Sequence, residues 1–348
     1  MLLNIQALRA LAAFLVVFVH LQTLAGRAGL APGATEFGNA GVDLFFVISG
    51  MIMVFTTSRG DTTAGRFLLH RIVRIVPFYW LVTFAVFAVA LAAPSLVQAT
   101  RADPVQLLKS LLFIPFVKAN GLTQPVVFVG WSLNYEMAFY LVFAAGMLTR
   151  RRLIGLAICC AALFAAVLYG ALAHPANAVS AFYSSAIMLE FAFGIAIGGL
   201  MPLARLRPWM AAPALLAGGV ALAVMLSGPW LWPRVDRLFM FGCPAAVIVA
   251  SALVLERLGM SLRAPLIRSL GDASYAIYLT HFFVTQALIR AALAAHVEGA
   301  APLAAVAAFT LVLVGAAGLV AHRWIEQPVT RLARGLTRPR PVPVVAAG

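Results

Sequence analysis

Long apolar runs separated by arginine-containing loops constrain this chain more than any other feature. About ten runs of roughly 17 to 22 residues carry few charges, and each has the length of a helix that crosses a bilayer core of about 30 Å. Only 10% of the 348 residues are charged and the mean hydropathy is +0.99, so a water-soluble exterior cannot be built. The predicted fold is an all-α, polytopic integral membrane protein of about ten transmembrane helices. The predicted spans are 5–22, 40–57, 75–93, 130–148, 153–173, 183–200, 209–227, 237–256, 272–292 and 302–322.

The basic residues predict how the chain is oriented. Most of the 25 Lys and Arg residues fall in alternate loops, such as Arg66–Arg74 and Arg150–Arg152. Loops rich in Lys and Arg face the cytoplasm, so both termini are predicted to be cytoplasmic, in a bacterial inner membrane. The net charge of +14 does not indicate nucleic acid, because the arginines lie between apolar spans and not on one soluble face. Membrane lipids are their expected partners.

The chain divides into a membrane domain and a short tail. Residues 1–330 form the predicted transmembrane domain, and residues 331–348 form an Arg- and Pro-rich cytoplasmic tail that is predicted to be disordered from Arg334 to Gly348. The segment from about 94 to 129 holds four prolines around an apolar stretch that is too short to span, so it is predicted to be re-entrant or interfacial. The three cysteines have neither disulfide nor metal-ligand spacing, and no metal site is predicted.

Ionisable residues inside apolar runs are candidates for function, because a charge in a membrane costs several kcal/mol. Arg9 and His20 lie on one stripe of the first helix, about 16 Å apart along its axis. Asp43 opens the second helix and is predicted at the depth of His20, where its carboxylate would orient the imidazole of a general base. The structural alternatives are that Arg9 snorkels to lipid headgroups, that His20 caps its helix and that Asp43 is an N-cap.

Two further groups complete the candidate site. Glu136 lies one turn inside WSLNYEMAFY, on a face with Ser132 and Tyr140, and it would orient a reacting hydroxyl or assist the imidazole. Arg71 and Arg74 lie one turn apart in RFLLHRIVRIVPFYW, in the loop predicted before the third span. Guanidinium forks match phosphate oxygens, which indicates a phosphate site. The competing interpretation is positive-inside anchoring.

Five motifs that extend over nearly the whole chain are specific in combination. They are Arg9 followed by His20, GVDLFFVISG, the Arg71–Arg74 pair before IVPFYW, WSLNYEMAFY and LGDASYAIYLTH. In these motifs the chain resembles the membrane-bound acyltransferase-3 proteins, and it looks most like the branch that acts on exopolysaccharide. The resemblance implies a ten-helix core, acyl coenzyme A that enters from the cytoplasm, His20 as the catalytic residue, and Arg71 with Arg74 as coenzyme contacts.

The expected activity is transfer of an acetyl group from acetyl-CoA, a co-substrate, to a hydroxyl of a carbohydrate that is either free or lipid-linked. His20 would act as the base, supported by Asp43 or Glu136, with the coenzyme arm along the Arg9 stripe. Direct transfer and a two-step route through an acyl-histidine use the same residues, and other acyl groups fit the same motifs. A proton-coupled transporter or exporter of a glycan or small molecule is the alternative class, because it also needs intramembrane charges. The oligomeric state stays open, with a homo-oligomer among the alternatives.

Overall fold

The computed structural model describes residues 2–58, 62–96, 100–149 and 151–336. Over these residues the chain forms fifteen α-helices and no β-strand, apart from an isolated antiparallel bridge between Val117 and Thr123. The prediction of an all-α protein is confirmed. The helices are α1 (Leu3–Val19), α2 (Gln22–Arg27), α3 (Ala40–Thr56), α4 (Ala64–Ala92), α5 (Pro104–Leu111), α6 (Trp131–Met147), α7 (Arg152–Ala173), α8 (Ala178–Tyr183), α9 (Leu189–Leu200), α10 (Ala211–Leu231), α11 (Cys243–Arg257), α12 (Pro265–Asp272), α13 (Ser274–Ala294), α14 (Ala300–Ala321) and α15 (Gln327–Leu336).

The predicted polytopic membrane architecture is also confirmed. Within the described ranges, eight helical segments are long and apolar enough to cross a membrane. Each of the ten predicted runs coincides with a helix, and the two runs outside that set of eight are α1 and α6, with 17 residues each. At 1.5 Å per residue such a helix is about 25 Å long, slightly less than a bilayer core. The eight segments are Glu36–Thr56, Ala64–Ala92, Arg152–Ala173, Ala186–Leu203, Pro208–Leu231, Leu238–Arg257, Ser274–Ala294 and Ala300–Leu336.

The third span begins earlier than predicted. Helix α4 starts at Ala64, not at residue 75, and Thr63 caps it by accepting a hydrogen bond from the backbone N–H of Arg66 at 3.3 Å. Arg71 and Arg74 therefore lie on the first turns of a 29-residue helix and not in a loop. The arginines misled the prediction because they lower the local hydropathy without breaking the helix.

The predicted tail is partly helical. Residues 331–336 belong to α15, which begins at Gln327. The expectation of disorder from Arg334 onward is therefore wrong for residues 334–336, while residues 337–348 lie outside the described residues.

The segment between α4 and α6 does not span the membrane. Its only α-helix over the described residues, α5, has eight residues and is therefore about 12 Å long. Tyr79 donates its hydroxyl hydrogen to the Ser110 carbonyl at 3.3 Å, and the Trp80 indole N–H donates to the Leu111 carbonyl at 2.9 Å. Because Tyr79 and Trp80 lie near the middle of α4, α5 lies beside the middle of a spanning helix. This placement fits a re-entrant segment.

Helices α1 and α3 pack closely and run antiparallel. A Cβ atom at Gly38 would overlap the Leu15 carbonyl, and one at Gly41 would overlap the Ala12 carbonyl. Residues farther along α3 therefore lie beside earlier residues of α1, farther from the end of α1 that carries His20. Asp43, two residues past Gly41, consequently lies near the level of Ala10, about 15 Å or nearly three helical turns from the level of His20.

Candidate active site

Three guanidinium groups and one carboxylate line a cavity of about 110 Å³ near the first turns of α1 and α4. Its charged residues are Arg9, Arg71, Arg74 and Glu136, and we call it the arginine cavity. Within the described part of the chain, none of these arginines forms a salt bridge. The excess of positive charge makes this cavity suited to an anion.

Arg71 is held in place by contacts that leave donors for a ligand. Its Nη2 donates to Thr56 Oγ1 at 3.2 Å, and its guanidinium carbon lies 5.5 Å from the ring centroid of Phe67 and 6.0 Å from that of Tyr140. Its Nε is buried and has no hydrogen-bond partner among the described residues. Aromatic faces thus orient a guanidinium fork without using up its hydrogen bonds.

Glu136 belongs to the arginine cavity. Ser49 Oγ donates to Glu136 Oε1 at 3.0 Å, and the Tyr140 hydroxyl donates to the same oxygen. Arg9 lines the same cavity, and its Nη1 donates to Gln6 Oε1 at 3.2 Å. The structure therefore brings Glu136 together with the predicted coenzyme contacts and not with His20.

His20 lies at the C-terminal end of α1 and lines a second, larger cavity. This histidine cavity has a volume of about 860 Å³ and lies between α4 and α13, under residues 124–129. Its size is typical of sites that enclose a small-molecule ligand. The His20 ring centroid lies 5.3 Å from that of Phe128 and 5.7 Å from that of Phe282, both edge to face. Helices α1 and α4 therefore both run from the arginine cavity to the histidine cavity.

His281 is the neighbour of His20 that the sequence analysis did not assign to the site. The two imidazole centroids are 5.1 Å apart. His281 Nδ1 lies 2.7 Å from the Tyr278 carbonyl oxygen. A carbonyl only accepts, so Nδ1 carries the proton and Nε2 of the neutral ring carries a lone pair. That Nε2 is buried without a hydrogen-bond partner among the described residues. The only signal in the sequence was a histidine inside an apolar run.

Asp43 has a different partner from the predicted one. Arg237 Nη2 donates to Asp43 Oδ2 at 2.6 Å and Arg237 Nε donates to Oδ1 at 3.2 Å, a bidentate ion pair around a carboxylate with no exposed surface. Together with the distance along α1, this pairing corrects the expectation that Asp43 orients His20. The sequence analysis missed Arg237 because 194 residues separate the partners and no local spacing links them.

A hydrogen-bonded wall separates the two cavities. Ser132 Oγ and the Tyr278 hydroxyl are 2.7 Å apart, and that hydroxyl donates to the Val129 carbonyl at 2.9 Å. Ser132 and Tyr278 line the arginine cavity, whereas Val129 lines the histidine cavity. We call these three residues the septum. A group that passes from one cavity to the other has to move or bypass the septum.

The chemistry of this arrangement is that of group transfer. The arginine cavity can bind an anionic donor, and His20 with its neighbour His281 can accept a proton from a hydroxyl in the histidine cavity. Among the described residues, no group of three or more His, Cys, Asp or Glu side chains could hold a metal ion. The fold and the two cavities are those of an intramembrane group-transfer enzyme.

Comparisons with known proteins identify that class more closely. The acyltransferase-domain model of the acyltransferase-3 family matches residues 2–321, so the chain belongs to this family and is a membrane acyltransferase. It is 38% identical over 304 residues to the exopolysaccharide production protein ExoZ of Rhizobium meliloti (strain 1021), which covers 85% of this chain and 91% of that protein. It is 28% identical over 345 residues to the acyltransferase MdmB of Streptomyces mycarofaciens, over 88% of this chain and 84% of that protein. No solved structure matches. The predicted resemblance is confirmed.

Proposed function

We propose that this membrane acyltransferase moves an acetyl group from acetyl-CoA to a hydroxyl of an exopolysaccharide or other cell-surface sugar. The observation that carries the proposal is the adjacency of two unlike cavities, one lined by arginines and one by His20, across the septum. The name of the exopolysaccharide production protein, together with its 38% identity over most of both chains, supports a polysaccharide acceptor.

The arginine cavity is the proposed donor site. Arg71 and Arg74 bind phosphate oxygens of the coenzyme, since guanidinium donors and phosphates pair strongly. Its volume of about 110 Å³ is below that of a site for a whole drug-sized ligand, so only the narrow pantetheine arm enters, past Arg9. In the proposed orientation the protein lies in the inner membrane, and the end of the helix bundle that holds the arginine cavity faces the cytoplasm because that end carries the basic residues.

The histidine cavity is the proposed acceptor site. His20 takes the proton of the acceptor hydroxyl while the hydroxyl oxygen attacks the thioester carbonyl carbon. The carbon–sulfur bond breaks, and the coenzyme thiolate receives that proton from the imidazolium. In the two-step alternative a His20 nitrogen attacks the thioester carbonyl carbon, the carbon–sulfur bond breaks, and the thiolate takes the proton that the ring releases; the acceptor oxygen then attacks the acyl-histidine, the carbon–nitrogen bond breaks, and the hydroxyl proton passes to the ring.

The other candidate residues, His281, Glu136 and Asp43, position the reacting groups or the helices that carry them. His281 Nε2 has no partner among the described residues and lies beside the His20 ring; when the acceptor is bound it would accept an N–H of His20, directly or through one water, which fixes the His20 tautomer and leaves its other nitrogen as the base. Glu136 limits the repulsion among the guanidiniums and orients them through Tyr140 and Ser49. Asp43 fixes α3 against the segment before α11 through Arg237.

The test is transfer of radiolabelled acetyl from acetyl-CoA by the purified protein in nanodiscs to oligosaccharides of bacterial surface polysaccharides. We expect label on the glycan as an alkali-labile ester with the wild-type protein and none with His20→Ala. The control is His174→Ala, because His174 follows α7 and lines neither cavity. Folded protein that binds acetyl-CoA but labels no glycan would contradict the acceptor, and folded protein that neither binds nor consumes acetyl-CoA would contradict the donor.

A further inference from the structure

Lys118 is a buried cation on the wall of the histidine cavity. Its exposed fraction is 5%, and it lines the same cavity as His20. The backbone around it forms a tight turn: the Lys118 N–H donates to the Leu122 carbonyl at 2.9 Å, and Gly121 has a φ of 78°. The position of Lys118 is therefore built into the segment and does not come from a freely moving loop.

The ammonium group of Lys118 has only neutral neighbours. Its Nζ donates to Thr100 Oγ1 at 3.3 Å and to the Val126 carbonyl at 3.5 Å, which are long contacts. No acidic side chain is among the described residues that line the cavity, and the described part of the chain contains no salt bridge to Lys118. An ammonium has three donors and is costly to bury without a counter-charge. Burial lowers the pKa of Lys118 to about 8, which still leaves it mostly charged at neutral pH.

Lys118 and His20 line the same cavity and are linked through residues 126–128, so a ligand the size of an oligosaccharide can contact both. The Val126 carbonyl that accepts from Lys118 is two residues before Phe128, whose ring centroid is 5.3 Å from that of His20. Two residues of extended chain span only about 7 Å. The opposite side of the cavity, between α4 and α13, is mostly apolar and includes the exposed side chains of Leu81, Val89 and Phe283, while α13 also contributes Gln286 and the cation Arg290.

On the basis of the proposed function, we propose that the acceptor is anionic and that Lys118 binds its negative group while the hydroxyl to be acylated lies at His20. The missing counter-charge of the buried ammonium is thus supplied by the substrate. A carboxylate of an acidic sugar and a phosphate that joins the glycan to a lipid carrier share this chemistry. In the second case the carrier would lie along the apolar side of the cavity.

The experiment compares three acceptor probes with the purified protein in nanodiscs. They are a glucuronate-containing tetrasaccharide, a neutral tetrasaccharide, and a neutral disaccharide linked to a polyprenyl pyrophosphate. Binding of each probe to the protein is measured directly, and acetyl transfer is measured for every probe that becomes acetylated. Preference for the first probe identifies a sugar carboxylate, and preference for the third identifies a carrier phosphate. Equal binding of the neutral tetrasaccharide and both anionic probes would overturn the proposal.

Substitutions assign that preference to Lys118. We expect Lys118→Gln to weaken binding of the preferred anionic probe at least about tenfold, with the KM for acetyl-CoA unchanged, and Lys118→Arg to restore most of it. Lys109→Gln, in α5 and outside the cavity lining, is the matched control. In the wild-type protein the affinity for that probe falls as pH rises through about 8, and Lys118→Arg removes this dependence.

The outcome separates this proposal from the proposed function. Unchanged anion binding in folded Lys118→Gln overturns the role of Lys118 even if His20-dependent transfer persists. A second outcome is that Lys118→Gln loses anion binding while the wild-type protein does not consume acetyl-CoA. This result supports the anion site and contradicts acetyl-CoA as the donor.

Discussion

At the scale of single residues, the candidate site depends on which groups have partners and which do not. Asp43 is fully paired by Arg237, whereas Arg71 Nε and His281 Nε2 are buried without hydrogen-bond partners among the described residues. Buried polar atoms in native proteins nearly always have partners, so these two atoms indicate where substrates or water complete the site. The first lies in the proposed donor site and the second beside the proposed base.

His281 allows a residue-scale test, because two amides imitate its two nitrogens separately. The amide of His281→Asn can still donate to the Tyr278 carbonyl but has no group at the Nε2 position, whereas His281→Gln offers an acceptor near Nε2. We expect His281→Asn to lower turnover roughly 100-fold with an unchanged KM for acetyl-CoA, and His281→Gln to retain more activity. Steady-state kinetics of both variants checks this, and equal losses in the two would contradict the tautomer role.

Arg74 and Glu136 should affect different kinetic constants. Arg74→Ala removes a phosphate donor and should raise the apparent KM for acetyl-CoA roughly tenfold or more, since a hydrogen bond to a charged group is worth about 1.5–3 kcal/mol. Glu136→Gln leaves the phosphate donors in place but removes the charge that orients the guanidiniums, so acetyl-CoA still binds with its thioester misplaced and turnover falls more than KM rises. The same kinetic assay measures both. If both variants lost activity to the same extent because less protein folds, these role assignments would be contradicted.

At the scale of helices, glycines and one ion pair set the positions of the candidate residues. Gly38 and Gly41 let α3 approach α1, and the pair Asp43–Arg237 fixes the start of α3 against the segment that leads into α11. The same close packing places Asp43 away from His20. These contacts make α1 a fixed support between the two cavities.

The ion pair should therefore contribute stability and not chemistry. Asp43→Ala leaves Arg237 without its partner, which costs about 3 kcal/mol, at the low end for buried pairs because Arg237 is 35% exposed on its side chain. We expect a lower midpoint of thermal unfolding in detergent and partial recovery in the double variant Asp43→Ala, Arg237→Ala. If Asp43→Ala kept its thermal stability but lost turnover per folded molecule, Asp43 would be part of the chemistry after all.

The sequence predicted helices better than contacts. Apolar runs of spanning length each coincide with a helix, because lipid forces the backbone to satisfy its own hydrogen bonds, and eight helical segments of the described residues are long and apolar enough to cross a membrane. It predicted the start of α4 wrongly, since Arg66, Arg71 and Arg74 were interpreted as a loop. The pair Asp43–Arg237 and the contact His20–His281 join residues 194 and 261 positions apart, and helix packing that brings such residues together leaves no local spacing to detect.

At the scale of the whole molecule, the two cavities divide the protein into a proposed donor side and a proposed acceptor side. The septum of Val129, Ser132 and Tyr278 separates them, and in the orientation predicted from the basic loops the arginine side faces the cytoplasm. A membrane acyltransferase with this division would collect its donor from the cytoplasm and modify an acceptor on the opposite side.

The septum should keep water from the donor in the absence of an acceptor. Tyr278→Phe retains the ring but removes the hydroxyl that bonds Val129 and Ser132. We expect this variant to hydrolyse acetyl-CoA several times faster than the wild type when no acceptor is present, as measured by release of the free coenzyme thiol. Ser269→Ala, on α12 and outside both cavity linings, is the control. An unchanged rate of hydrolysis would contradict the idea that the septum closes the passage.

The most direct test uses sealed inside-out membrane vesicles with labelled acetyl-CoA outside. In one sample an oligosaccharide acceptor is trapped inside the vesicles, and in a second sample the same acceptor is added outside. We expect labelled ester on the trapped glycan with the wild-type protein and none with His20→Ala. Label confined to the externally added glycan would contradict a reaction across the septum and would place both substrates on the arginine side.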